Sequence, residues 1–398
     1  MVLKFVIDKK PSSDGVDYES LIAADYELSR LVSEAIANAP PGICEDQTLE
    51  RIDFKEIPRQ SFSRADLTSI QELARQGVII LPAYCCDQDS SQTLSEHFRV
   101  GRILTMHEIR SFETPEETCH SLTEAGLKIP RAVPVYFVRE IPVVSSERHF
   151  LGMCFGQLVF VRHDTDRRLR EYAFFIKYLY DNARKDLLDT ALSPVLSARS
   201  FREICDLLAI DVKGQDELAQ ELYDPLIFHE VGHMVAFLNA SLNGMRLGAF
   251  YHALGTVQER NFKFELEAIL FQHGFCPNPG YSILFSLMEF AGAALDTRDK
   301  SGFIPDFVSL RMILDSILDK DPRGYKEIDV LGTLQADLTC VLRKGLMQQF
   351  QSAARKIFID IQKNPNSVAS TITEYLVKYR AFFDTIRLSR VTNSFLPR

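Results

Sequence analysis

The spacing of apolar residues changes near residue 167, and that change restricts the chain to a fold with two parts of different character. Beyond it apolar positions recur at helical spacing over 167–191, 198–209, 214–222, 225–242, 256–273, 281–295, 305–319, 330–363 and 365–390. Ahead of it, GVIILPAY (77–84), VPVYFVREIPVV (133–144) and QLVFVRH (157–163) are rich in Val, Ile, Phe and Tyr and bounded by turn residues, which predicts strands. Helical spacing also fills 18–39 and 63–77, the second opening on a Ser63 cap and closing on Gly77. The expected fold class is α+β, with a mixed α/β N-terminal part over 1–150, a core over 151–295 and a mainly helical C-terminal region over 296–398. CPNPGY (276–281) and DTRDKSGFIPD (296–306) mark breaks, and neither an internal repeat nor a low-complexity tract is present.

A chain of 398 residues, 46% hydrophobic and with 28 Phe, can bury a substantial core, which excludes a disordered protein. Its net charge of −9 gives no general attraction to nucleic acid or anionic lipid, and the basic residues cluster only locally, as at Arg167, Arg168 and Arg170. Neither nucleic acid nor membrane is therefore expected as a partner. The most apolar stretch, 281–295, is shorter than the roughly 20 residues a bilayer requires and contains Glu289. MVLKFVIDKKPSSDG has no long apolar run followed by a cleavage site, so a cytoplasmic location is expected, signal-independent export being compatible with it. Eight scattered cysteines, Cys85 and Cys86 adjacent and no CxxC, fit a reducing compartment. Cys119 beside His120 suggests a thiol nucleophile, but sequence neighbours seldom face each other as a catalytic pair.

DPLIFHEVGHMVAFLN (224–239) places two histidines four residues apart in an otherwise apolar segment. Asp224 as cap and Pro225 as first helical residue predict a helix start, and Gly244 predicts its stop after about Leu242. One turn apart, His229 and His233 project from one face and can share a metal ion. Glu230 is turned about 100° from His229, outside the plane of the two imidazoles but able to reach a water on the metal's open side. The flanks PLIF and MVAFL bury the segment, and Gly232 admits the close approach of another backbone or a substrate. The opposing reading, core or solvated histidines, predicts no bound metal and leaves buried polar groups that are costly to satisfy.

HEVGH resembles the HExxH helix of the zincin metallopeptidases at every defined position. The resemblance implies a zincin-like core and zinc-dependent hydrolysis of a peptide bond. His229 and His233 would hold the zinc, Glu230 would act as general base, and the substrate would be a protein or peptide. The metzincin extension HExxHxxGxxH is excluded, because the chain has Ala236 and Asn239 where it requires Gly and His. A gluzincin-like enzyme takes its third ligand from a Glu on a later helix. ELEA (265–268) within VQERNFKFELEAILFQHG (257–274) is similar to the Glu-x-x-Ala pattern around that ligand, without the Asp or Asn that often follows Ala. A weaker likeness joins GTVQE (255–259) to the Gly-Thr-x-x-Asp of aspzincins, with Glu in place of Asp.

Four glutamates compete as third ligand. On a helix through 257–274, Asn261, Glu265 and Gln272 share one narrow strip flanked by Phe262, Ala268 and Ile269, an environment suited to a carboxylate neutralised by zinc. Glu267 shares its strip with Arg260 and Lys263 and is expected on a solvated, ion-paired face. Glu259 lies near the helix start, where the dipole favours an acid without a metal, and Glu289 belongs to a separate helix. Glu265 is the expected ligand, with the other three open. Hydrolysis also needs an oxyanion donor, and FYHALG offers Tyr251 and His252 between the two ligand helices. The rival from another class is a non-catalytic helical interaction protein with a structural or vestigial zinc. A structural zinc is closed by four protein ligands, whereas a catalytic one keeps a position for water.

Overall fold

The computed structural model describes residues 18–39, 41–45, 51–54, 57, 62–63, 67–82, 97–98, 100–141, 151–181, 198–212, 214–240, 257–295, 304–320, 330–364, 371–372 and 375. The chain is α+β and divides into two compact units, Met1–Val2 with Asp166–Gly232 and Ala253–Arg398, and Leu3–Thr165 with His233–His252. The dividing line falls inside one continuous helix, Tyr223–Ala240.

The second of these units carries a five-stranded sheet among its described residues. Its strands are β1 (Val78–Pro82), β2 (Val100–Glu113), β3 (Ala132–Glu140), β4 (Gly152–Phe155) and β5 (Leu158–Arg162), in spatial order β1-β2-β3-β5-β4. Neighbours are antiparallel except β3 and β5, which run parallel with Tyr136 beside Phe160. Every residue of β1 is buried, which is why it reads as an unbroken apolar run instead of an alternating one. Helices α1 (Tyr18–Ala37) and α2 (Thr68–Arg75) add Leu28, Val32, Ile36, Ile70 and Ala74 to a core shared with Ile80, Leu104, Met106, Phe155 and Phe160. The β4–β5 hairpin turns on Gly156 at φ +61°, where a Cβ would lie 2.3 Å from Ser33 Oγ of α1. Only glycine meets both demands.

Several sequence expectations are corrected here. β2, β4 and α3 (Glu116–Glu124) lie where the pattern predicts no element. Past Met106, β2 pairs only with β3 among the described residues, and residues 107–111 are exposed, so His107, Glu108 and Arg110 stand where a half-buried strand would alternate apolar and polar residues. His107 is the extra residue of a bulge, since Met106 opposes Val138 and Glu108 opposes Phe137. Ser63 does not cap a helix. It pairs with His97 in a two-residue bridge, and α2 begins at Thr68 after Leu67, which makes no capping bond.

The other unit is built from helices among its described residues: α4 (Thr165–Asp181), α5 (Ala198–Leu207), α6 (Gln215–Glu221), the first part of α7 (Tyr223–Ala240), α8 (Val257–Phe275), α9 (Pro279–Leu295), α10 (Ile304–Leu318), α11 (Val330–Arg343) and α12 (Met347–Lys363). α8 packs against α9, α10 and α12, and every residue from Glu265 to Cys276 is buried. That burial explains its lack of a single apolar stripe. Its Phe271 ring meets Phe228, Phe275 and Phe358. The single helix expected over 330–363 is two, broken at Gly345, whose φ of +66° stops α11.

One buried polar cluster braces α10. The guanidinium of Arg311, wholly buried, donates through Nε to Asp315 Oδ1 at 2.8 Å and through Nη2 both to the same oxygen and to Asp337 Oδ2 of α11 at 2.6 Å. Lys320 Nζ donates to Asp337 Oδ1 and the Tyr375 hydroxyl to Asp315 Oδ2, each at 2.6 Å. Elsewhere the short basic group of α4 is partly neutralised, Arg167 pairing with Glu171 and Arg170 with Asp216. No helix among the described residues is long and apolar enough to cross a membrane.

Candidate metal centre

α7 starts at Tyr223, so Asp224 occupies the first turn and does not cap it, a correction of two residues to the expected start at Pro225. Burial raises the Asp224 carboxyl above the ordinary range, even though the first turn favours an acid. The helix then carries His229 and His233 on one face, both partly buried. Glu265 of α8 reaches them: its Oε2 lies 3.2 Å from His229 Nε2, and one ligand atom from each of His229, His233 and Glu265 falls within 4.8 Å of the others. Donors held about 2.0–2.2 Å from a tetrahedral zinc stand about 3.4 Å apart, so small side-chain rotations suffice to close the set on an ion. Two imidazole nitrogens and one carboxylate oxygen are also the donor types that zinc accepts. The residues present therefore fit the metal.

The close approach of α8 to α7 depends on Gly232. A Cβ there would lie 2.9 Å from Ala268 Cα, 2.9 Å from Phe271 Cβ and 3.0 Å from the Ala268 carbonyl oxygen. Two of these are backbone atoms, which cannot swing aside. The neighbour expected at Gly232 is thus the backbone of the helix bearing Glu265. Gly232→Ala should push α8 outward, lowering stability by about 1–3 kcal/mol through overpacking. It should also weaken zinc binding without touching a polar group, which titration against a chelator would read. Zinc affinity equal to that of the parent would mean that the helix contact does not set the ligand spacing.

Glu230 is buried and is not a member of the three-residue cluster. Glu267 is placed differently from expectation. It does pair with Lys263, Nζ to Oε1 at 2.7 Å, but the two side chains are only 5% and 1% exposed, and Gln362 Nε2 of α12 donates to the same oxygen at 2.8 Å. The pair is buried, not solvated, because α12 covers that side of α8. Glu265 is turned about 200° from it, toward α7. Tyr251 and His252 lie outside the described residues, as do the side chains of Glu259 and Glu289. Cys119 and His120 do not form a pair: the thiol is directed to the Thr114 carbonyl and the imidazole to Glu124.

Two residues near the centre escape sequence reasoning. His273, two turns beyond Glu265, is fully buried, with Nδ1 at 2.8 Å from Ser282 Oγ and Nε2 at 3.3 Å from Ser286 Oγ. Burial, and then the neighbouring His229, push its pKa down to about 3, so it is a neutral ring locking α8 to α9. Gln272 Nε2 reinforces the contact by donating to the Ser282 carbonyl at 3.1 Å. Serines four apart, facing a Gln-His pair, are the trace of this lock in the sequence. The second is Asn239, the position at which the metzincin pattern has a histidine. Its amide is committed to backbone groups.

Comparison with protein-family models, with curated proteins and with solved structures gives no match.

Proposed function

We propose that the protein is a zinc-dependent hydrolase of peptide bonds, gluzincin-like in its ligand set. The observation that carries this reading is the arrival of Glu265, from a separate helix, at the two histidines of HEVGH. Among the described residues the cluster has three members, which leaves room for water, whereas a purely structural zinc takes four protein ligands. Bound zinc supplies a Lewis acid and a water acidified to near neutral pH. His229 and His233 act as neutral nitrogen donors, and Glu265 contributes the single negative charge of the set. Glu230, next to His229 but outside the cluster, accepts the proton of the attacking water on its carboxylate and delivers it to the leaving amine nitrogen. Tyr251 and His252 are the proposed oxyanion donors, and the substrate class is protein or peptide.

The test is metal content. The purified protein should carry about one zinc per chain, and changing both His229 and His233 to Ala should remove it. Unchanged zinc in the double variant would place the metal elsewhere and end this reading.

A further inference from the structure

We infer that Asn239 is a positioning residue for the metal centre, an inference that rests on the hydrolytic reading above. α7 runs six residues beyond His233 to Asn239, about 9 Å along the helix axis, and there the side chain is wholly buried. Its Oδ1 accepts the backbone N–H of Lys128 at 2.7 Å, while Nδ2 donates to the carbonyl of the same Lys128 at 2.9 Å and to the Val235 carbonyl at 2.8 Å. Both amide hydrogens and the amide oxygen are engaged. One side chain thereby takes both polar groups of one backbone residue, as the neighbouring strand of a sheet would. Two opposed bonds of this kind fix both translation along the helix axis and rotation about it, which a single bond does not.

The anchor on the other side is firm. Lys128 belongs to the short connection between α3 and β3, and β3 is the central strand of the sheet. Nearby, Tyr26 of α1 stacks on Phe237 with ring centroids 4.6 Å apart and donates its hydroxyl to the Phe237 carbonyl at 3.3 Å. The last turns of α7 are thus held at two places within the unit that contains the sheet. His233 lies on the same rod, and Val235, two residues beyond it, is bonded to the Asn239 amide. A rod pinned at Asn239 holds His233, six residues back on the same helix, in one place within the unit that contains the sheet, and ligand constellations tolerate displacements of only about 0.5 Å. A leucine would suit an apolar helix better. The carboxamide instead satisfies a Lys128 N–H and C=O that have no sheet partner among the described residues, and those groups satisfy it in turn.

The test compares zinc affinity with the stability of the zinc-free protein, both on the full chain. Asn239→Ala should raise the zinc Kd about tenfold or more, the range seen when groups that orient ligands are lost. Lys128→Ala, which keeps both backbone groups and removes only an exposed side chain, should leave the Kd unchanged. If Asn239→Ala does not fold, Asn239→Ser serves: its hydroxyl can hold the Val235 carbonyl but cannot reach both groups of Lys128, so the same loss of affinity is expected. An Asn239 variant that melts earlier yet binds zinc as tightly as the parent would reduce the clamp to a structural role and overturn the inference, while leaving the hydrolytic reading intact. A Kd that rises as far in Lys128→Ala would also overturn it, by moving the effect to the side chain. A parent protein that binds no zinc would remove both.

Discussion

Glu230→Gln is expected to abolish peptide hydrolysis while leaving the zinc and the fold in place. The substitution conserves size and adds no charge to a buried position on α7. What it removes is the basic oxygen: an amide cannot accept the proton of an attacking water or hand one to a leaving amine. General bases of this kind contribute on the order of 10²–10⁴ in rate, so a loss within or above that range is the expected result. Zinc content and thermal midpoint should stay close to those of the parent, because Glu230 lies outside the cluster of His229, His233 and Glu265. Cleavage of a peptide library, metal analysis and a melting curve together decide the matter. A Gln variant with full activity would sink the assignment of the base. One that loses its zinc would instead move Glu230 among the ligands.

The parts of this fold that were legible in the sequence are those whose cause is local. α7 and α8 appear in the pattern because apolar residues persist through whole turns, and β1 because an unbroken Val-Ile-Ile-Leu run between turn residues has few other uses. Glu265 stood out because its strip on α8 carries no other charge. The parts that were not legible depend on what covers a residue from far away. Lys263 and Glu267 have the spacing of a surface ion pair, and nothing within their own helix distinguishes that from a buried one. The deciding group is Gln362, 95 residues later. The outer half of β2 was hidden for the opposite reason, since past Met106 its residues through Ser111 are exposed on the outer side of β3 and lack the alternation that marks a half-buried strand. Asn239 has the same character as Glu267. Its partner is the backbone of Lys128, 111 residues earlier, and a backbone partner leaves no trace in residue types.

The division of labour around α8 follows from the same facts. One face gives Glu265 to the candidate metal centre, another buries the Lys263–Glu267 pair against α12, and Gln272 with His273 fastens the helix to α9. A helix fixed on several sides cannot adjust to a displaced ligand by sliding. Its position is therefore inherited from the packing of its neighbours, of which α10 is one.

The largest loss of stability is accordingly expected from Arg311→Met on α10. The guanidinium is wholly buried between Asp315 and Asp337, and its removal strands two carboxylates in a region where water cannot replace it. Breaking a buried pair by deleting one partner costs about 3–5 kcal/mol, a large part of the roughly 5–15 kcal/mol that holds an ordinary domain folded. The remaining partners offset only part of this. Lys320 neutralises Asp337 from a half-exposed position, and the Tyr375 hydroxyl offers Asp315 a neutral donor. If the penalty arises from uncompensated charge, removing the charges as well should undo it. Adding Asp315→Leu, Asp337→Leu and Tyr375→Phe to the Arg311→Met chain should restore most of the lost stability, because well-packed apolar groups of similar size commonly match a buried ionic cluster. Urea unfolding of the zinc-free chains would read both effects free of any contribution from metal. A single Arg311→Met variant that loses less than about 1 kcal/mol, the range of an exposed pair, would mean that water reaches the cluster and that α10 is held by its apolar contacts alone.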